Sequence, residues 1–126
     1  MKSLIALPLA VLMFVSFQAS ALCLNIADSY TGIMQPNDEI TVYGPFKITG
    51  ANGCSAANID ATVSAGGAGS APAIFIEREV GSSWSRVSFS IGTNASYVGP
   101  FGTYRVRLKN ETSASKSYSG TVRYGR

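Results

Sequence analysis

The residues best suited to chemistry lie toward the C-terminal end. Arg105, Arg107 and Lys109 alternate with Tyr104, Val106 and Leu108. A period of two puts the three cations on one face of a strand and the three apolar groups on the other. Arg123 lies in the next alternating segment and is expected to join them from the neighbouring strand. A patch of this kind attracts phosphate, sulfate or carboxylate polymers. Like charges along one face also repel, and an anionic partner relieves that cost. The same pattern serves equally as a solvated outer face that discourages edge pairing. No aromatic residue is read on this face, which argues against single-stranded nucleic acid as a partner. Trp84, the only tryptophan, follows a Gly-Ser-Ser turn. It either caps the core or forms a platform for a sugar ring or a protein partner.

Other chemistry is thinly represented. Glu77 and Glu79 are two apart on one strand, so their side chains share a face roughly 7 Å apart. That spacing allows an acid/base pair, but Arg78 and the basic strand favour cross-strand ion pairs instead. The chain has no histidine, which removes the Ser-His-Asp triad, the Cys-His dyad and histidine-based metal sites. The Gly66-Gly67-Ala68-Gly69 run has no following Lys-Ser or Lys-Thr and opens no helix, so it reads as a flexible loop and not a phosphate cradle. Calcium would need carboxylates and carbonyls from loops such as Asp28 to Thr31 or Pro36 to Glu39, and the EF-hand spacing is absent. Asn94-Ala95-Ser96 and Asn110-Glu111-Thr112 match the glycosylation acceptor pattern, which matters only in a eukaryotic host. No catalytic residue, metal or cofactor is therefore expected, and the chain reads as a non-enzyme.

The elements that must position these residues are short strands. Residues 1–21 read as a signal peptide: a basic start at Lys2, an apolar run from Leu4 to Phe17, and small residues ending at Ala21. The run is too short for a membrane span, which needs roughly 20 apolar residues. Residues 22–126 then form one domain. Its two cysteines, Cys23 and Cys54, read as one disulfide in an oxidising compartment, secreted or periplasmic. Acids dominate up to Glu79 and bases dominate from Val80 onward. The simplest consequence is that the two halves face each other across the fold.

No stretch carries a helical period, and alternating segments bounded by Gly, Pro, Asn and Ser recur. The pattern predicts a single antiparallel β-sandwich of seven or eight strands. A short first strand covers Leu22 to Ala27, with a turn at Asp28 to Gly32. Glu39 to Tyr43 and Phe46 to Thr49 follow, broken at Gly44-Pro45, with a further turn at Asn52-Gly53. Asn58 to Ala65 turns Ile59, Ala61 and Val63 to one face. Ala73 to Val80 is a central strand. Trp84 to Ile91 has Val87, Phe89 and Ile91 on one face, and Ser96 to Val98 is short. Thr103 to Lys109 and Tyr118 to Tyr124 close the chain, joined as a hairpin by Asn110 to Ser117. The steps Tyr43-Gly44-Pro45-Phe46 and Val98-Gly99-Pro100-Phe101 read as similar bends into successive strands.

The run Gly102-Thr103-Tyr104-Arg105-Val106-Arg107-Leu108, followed by Tyr118-Ser119-Gly120-Thr121-Val122, resembles the bacterial pre-peptidase C-terminal domain in its order of motifs. Ala73 to Glu79 is similar to that family's central strand, without its usual aspartates. The resemblance covers the last 70 or so residues and implies a small jelly-roll or Ig-like sandwich. No functional residue is carried over from it. The expected function is non-enzymatic binding outside the cytoplasm, with an anionic polysaccharide, envelope component or protein as partner. The alternatives are a secreted inhibitor of a hydrolase such as a protease or lysozyme, inserting the Gly66 to Pro72 or Asn110 to Lys116 loop into a cleft, and a subunit or toxin that assembles by strand addition.

Overall fold

The computed structural model describes residues 23–90 and 93–126. The signal-peptide reading of residues 1–21, and the readings of Leu22 and Ile91, lie outside the described residues. The chain folds into eight strands: β1 (Asn25–Met34), β2 (Glu39–Ile48), β3 (Ala57–Ala65), β4 (Ala73–Val80), β5 (Ser83–Phe89), β6 (Asn94–Gly99), β7 (Gly102–Lys109) and β8 (Lys116–Gly125). They form two four-stranded sheets, in the order β1-β8-β3-β6 and β2-β7-β4-β5. Every pairing is antiparallel. Eight strands divided in this order are a jelly roll, one of the two sandwich types that the sequence resemblance implied.

Alternation decides which side chains meet between the sheets. Ile59, Ala61 and Val63 of β3, Tyr104, Val106 and Leu108 of β7, and Val122 and Tyr124 of β8 are all buried in one core, as their period-two spacing requires. Cys23 and Cys54 form the disulfide and close a loop of 31 residues. Restricting the unfolded chain over that length contributes on the order of 3–4 kcal/mol.

Several expectations change. The stretch Asp28 to Gly32 is no turn but the middle of the ten-residue β1. Its glycine serves packing: Gly32 lies opposite Tyr118, and a Cβ there would strike the tyrosine ring. The reciprocal pair is Tyr30 opposite Gly120. The Tyr30 ring crosses that glycine and donates its hydroxyl to the carbonyls of Thr62 (2.6 Å) and Thr121 (3.1 Å). Asp28, inside β1, accepts from the Tyr43 hydroxyl at 2.7 Å.

The expected break at Gly44-Pro45 is an irregularity within one strand, since β2 runs from Glu39 to Ile48 with shifts in register near Tyr43. Strand β2 is an edge strand, where proline removes no ladder bond. Gly99-Pro100, by contrast, ends β6 and leads into the other sheet, so the two Gly-Pro-Phe steps are not equivalent. Strands β7 and β8 do not form a hairpin either. They belong to different sheets, and residues 110–115 carry the chain across the sandwich. Alternation is the same whichever sheet a strand joins, so the pattern alone did not separate them.

Candidate functional site

The outer face of the β2-β7-β4-β5 sheet gathers most of the residues singled out by type. Arg105, Arg107 and Lys109 point outward from β7, opposite the buried Tyr104, Val106 and Leu108. Strand β7 is not at an edge but lies between β2 and β4. Its cations therefore have neighbours on both sides. On one side Glu77 of β4 faces Arg105. Its Oε1 accepts from Arg105 Nε at 2.7 Å and lies 2.7 Å from Nη2 and 3.7 Å from Arg107 Nε. On the other side Arg107 donates to Glu39 (3.2 Å) and to Thr41 Oγ1 (2.9 Å) of β2. The acidic first half and the basic second half of the chain do meet, and they meet here.

Strand β5 adds the aromatic part. Trp84 lies opposite Glu79 and is half-buried, with the Arg105 guanidinium 4.2 Å from its ring centre. The sole tryptophan is thus a surface group braced by an arginine and does not cap the core. Arg86 lies opposite Glu77, reaches Glu39 at 3.5 Å, and stacks 3.6 Å above the Phe75 ring. Phe75 pairs with the outward-facing Arg107. It is only 3% exposed yet outside the core cluster, because Arg86 covers it. Phe89 pairs with Phe75 and is exposed on the same face.

Val87 and Phe89, expected on one face, separate for a local reason: Val87 packs against the core while Phe89 is exposed. A register shift opposite Ile76 and Glu77 inserts one residue into β5 and reverses the alternation beyond it. The reading that this face carries no aromatic residue fails with it, since Phe75, Trp84 and Phe89 are all present.

Arg123 does not join this face. It lies on β8 in the other sheet, paired with Ala27 and Asp60. Lys109 does share the face, at its end, between Glu39 and Ala73. The continuous set is therefore Trp84, Arg105, Glu77, Arg107, Glu39, Arg86 and Phe75. Arg86, Glu39 and Phe75 were missed because their roles come from cross-strand neighbours distant in sequence. The available signal was charge: acids in the first half, bases in the second.

A second feature forms at one end of the sandwich, where the two candidate insertion loops lie together. Gly66 N–H donates to the Ser117 carbonyl at 2.9 Å, and Lys116 Nζ donates to the Ser70 carbonyl at 2.7 Å. A groove of about 440 Å³ lies between them, lined by Gly67, Ala68, Ser70, Thr112, Ser115 and Lys116 among others. The loop from Asn110 is shaped by that residue, whose side chain is fully buried. Asn110 Nδ2 donates to the carbonyls of Gln35 (3.0 Å) and Ala114 (2.7 Å), and Oδ1 accepts from Thr112 N–H (3.1 Å) and Oγ1 (2.7 Å). The Asn-x-Thr triplet that matches the glycosylation acceptor pattern is a surface turn whose asparagine side chain is fully buried. An asparagine that bonds the amide two residues on was the signal for it.

Among the described residues, no group of three or more acidic or cysteine side chains is placed to hold a metal. Asp38 bonds the Glu39 amide at 3.1 Å, and Glu39 is engaged by two arginines.

No protein-family model matches the sequence, and neither does any curated protein. Solved structures do resemble it. A mitogen derived from Yersinia pseudotuberculosis is 18% identical, with a TM-score of 0.62 over 79% of this chain and 86% of that one, which shows a shared fold. PliG from Aeromonas hydrophila, a periplasmic inhibitor of g-type lysozyme, is 15% identical with a TM-score of 0.47, covering 82% and 87% of the two chains. The pre-peptidase C-terminal domain of a Bacillus anthracis collagenase is 16% identical with a TM-score of 0.40, covering 80% and 89%. No family model ties the chain to the family that its C-terminal motifs resemble.

Proposed function

We propose that this chain is a non-enzymatic extracytoplasmic binding protein, and that the outer face of the β2-β7-β4-β5 sheet engages a protein partner. The observation that carries this reading is the continuous array Trp84–Arg105–Glu77–Arg107–Glu39–Arg86–Phe75 on one sheet face. A bare cationic stripe favours a polyanion, but Arg105 and Arg107 already have carboxylate partners. A polyanion would have to compete with Glu39 and Glu77 for them. Tryptophan and arginine held in fixed orientations suit a protein interface instead, where these types dominate the binding energy. Ordering such side chains in advance lowers the entropy cost of association. The disulfide fits an oxidising, extracytoplasmic compartment.

The test is surface-based binding of the mature protein to a panel of purified lysozymes, secreted proteases and envelope proteins, alongside a glycan array. The expected result is a protein ligand whose affinity falls about tenfold or more for Trp84→Ala or Arg86→Ala, with the fold intact. Retention of full affinity in both variants would refute the assignment of the face. Binding only to polyanionic glycans, with a steep dependence on salt, would favour the polyanion reading over it.

The paired loops favour a second reading, inhibition of a hydrolase by insertion of residues 66–72 and 110–116 together. Under that reading micromolar protein abolishes the target's activity, and Ser70→Arg or Thr112→Arg restores it while Trp84→Ala does not.

A further inference from the structure

The four edges of this sandwich are unequal. Strand β2 carries Pro45 and two irregularities. Strand β5 has seven residues and a register shift, and β6 has six residues. Ser88 Oγ also donates to the Ser96 carbonyl at 2.7 Å, tying the β5 and β6 edges together. Strand β1 has none of these features. It runs ten residues in unbroken register with β8 and contains no proline, lysine or arginine. Its one charged side chain, Asp28, is engaged by the Tyr43 hydroxyl at 2.7 Å. Natural sheets blunt their edges with prolines, bulges, short strands and charges, so an unbroken ten-residue edge with a single, partnered charge points to a pairing function.

The ladder shows which groups that edge offers. Arg126 N–H donates to the Leu24 carbonyl at 2.8 Å, which makes residues 24 and 126 a hydrogen-bonded pair. Because the register continues without a shift, alternation makes the even-numbered residues of β1 the bonded partners of β8. The odd-numbered residues Asn25, Ala27, Ser29, Thr31 and Ile33 direct their N–H and C=O groups away from β8. Among the described residues, no strand pairs with that side. The side chains of the same residues face outward, and Ile33 is 68% exposed.

We propose that this edge pairs with β1 of a second copy of the chain, antiparallel and centred on Tyr30. Two copies related by a twofold axis perpendicular to the sheet must place residues of the same face opposite each other. Centred on Tyr30, the register sets Ser29 opposite Thr31 and Ala27 opposite Ile33, so the exposed isoleucine meets an apolar neighbour. Shifting the axis to Ser29 or Thr31 would set Ile33 against Asn25 or Ser29. Centring on Asp28, the only charged residue of β1, would oppose two carboxylates. The Tyr30-centred register sets Asp28 against Gly32 instead. The product is an eight-stranded sheet continuous across both molecules.

Sedimentation of the mature protein over roughly three decades of concentration, micromolar to millimolar, tests this directly. The expected result is a concentration-dependent dimer. Ser29→Pro removes a donor that β8 does not use and should abolish the dimer while leaving the monomer folded. Ile33→Lys, which changes only an exposed side chain, should weaken it at least tenfold and stands in if the proline variant misfolds. Mixing Ser29→Cys protein with Thr31→Cys protein under mild oxidation should trap a cross-linked dimer that neither forms alone, since opposed strand residues lie within disulfide reach. A monomer at every concentration would overturn the proposal. So would a dimer unaffected by Ile33→Lys, or equal cross-linking of each cysteine variant with itself. Capture of a strand from an unrelated protein by a chain that stays monomeric would also overturn it.

Discussion

Replacing Asn110 by alanine should destabilise the domain more than any surface change on its candidate binding face. The side chain is fully buried and makes four hydrogen bonds, two as donor and two as acceptor. Truncation leaves the Gln35 carbonyl, the Ala114 carbonyl and the Thr112 amide without that partner. The Thr112 hydroxyl keeps its contact with the Ala114 carbonyl at 3.2 Å. At about 1 kcal/mol for each of the three backbone groups, the loss is about 3 kcal/mol. For a domain of this size that lowers the thermal midpoint by about 10–20 °C and the urea midpoint by about 2 M. Urea unfolding followed by Trp84 fluorescence, with unchanged slope, is the assay. Asn110→Asp supplies the control. It keeps both acceptor contacts but turns an anion toward two carbonyls, so it should be at least as destabilising at pH 7. Its stability should rise as pH falls and the new carboxyl gains a proton. A loss under about 0.5 kcal/mol for Asn110→Ala, within the range of ordinary surface substitutions, would refute the claim that this residue organises the loop.

The ion pair of Glu77 and Arg105 is largely shielded, with side-chain exposures of 13% and 21%. A double-mutant cycle using Glu77→Gln and Arg105→Gln should give a coupling of about 1–2 kcal/mol, above the usual exposed pair, and a coupling near zero would show that solvent screens the array. Gly120→Ala should cost about 1–3 kcal/mol or more, because its Cβ would overlap the Thr62 carbonyl and the Tyr30 ring, whereas Gly67→Ala has nothing within 4 Å to strike and should be neutral; equal effects in thermal melts would contradict the packing of Tyr30 over Gly120. In alkaline titration, Tyr30, Tyr43 and Tyr104 should resist ionisation, since burial raises all three phenols above the ordinary value of 10. Tyr43 is further raised by its bonds to Tyr124 and Asp28. A raised folded-state pKa means the stabilisation is complete below about pH 10 and is lost above it. Phenolate absorbance should therefore show these three ionising only as circular dichroism reports unfolding, and a smooth six-tyrosine titration of the folded protein near pH 10 would refute it.

How much of this was readable beforehand depends on the range of the interaction involved. The inward sets Ile59-Ala61-Val63 and Tyr104-Val106-Leu108 follow from alternation, a rule local to each strand, and the structure buries them as expected. The limits of β4 were equally plain. The turn at Asp28 to Gly32 was misread because Gly32 answers to Tyr118, which lies far along the chain and opposite it in the sheet. Phe89 leaves the face it was expected to share with Val87 because one inserted residue in β5, visible only in its pairing with β4, reverses the alternation.

The candidate site divides along the same line. The composition and spacing of the chain by themselves determined an all-β domain with one disulfide, a strand face shared by Arg105, Arg107 and Lys109, and a split into acidic and basic halves whose simplest consequence was that they face each other. Strand order was decided only in three dimensions. It moved Arg123 to the opposite sheet, set Glu77 and Glu39 against the arginines, and brought Trp84, Arg86 and Phe75 to the same face. The reason is physical: alternation fixes which way a side chain points from its own strand, while its neighbours depend on long-range pairings that a two-residue period does not encode.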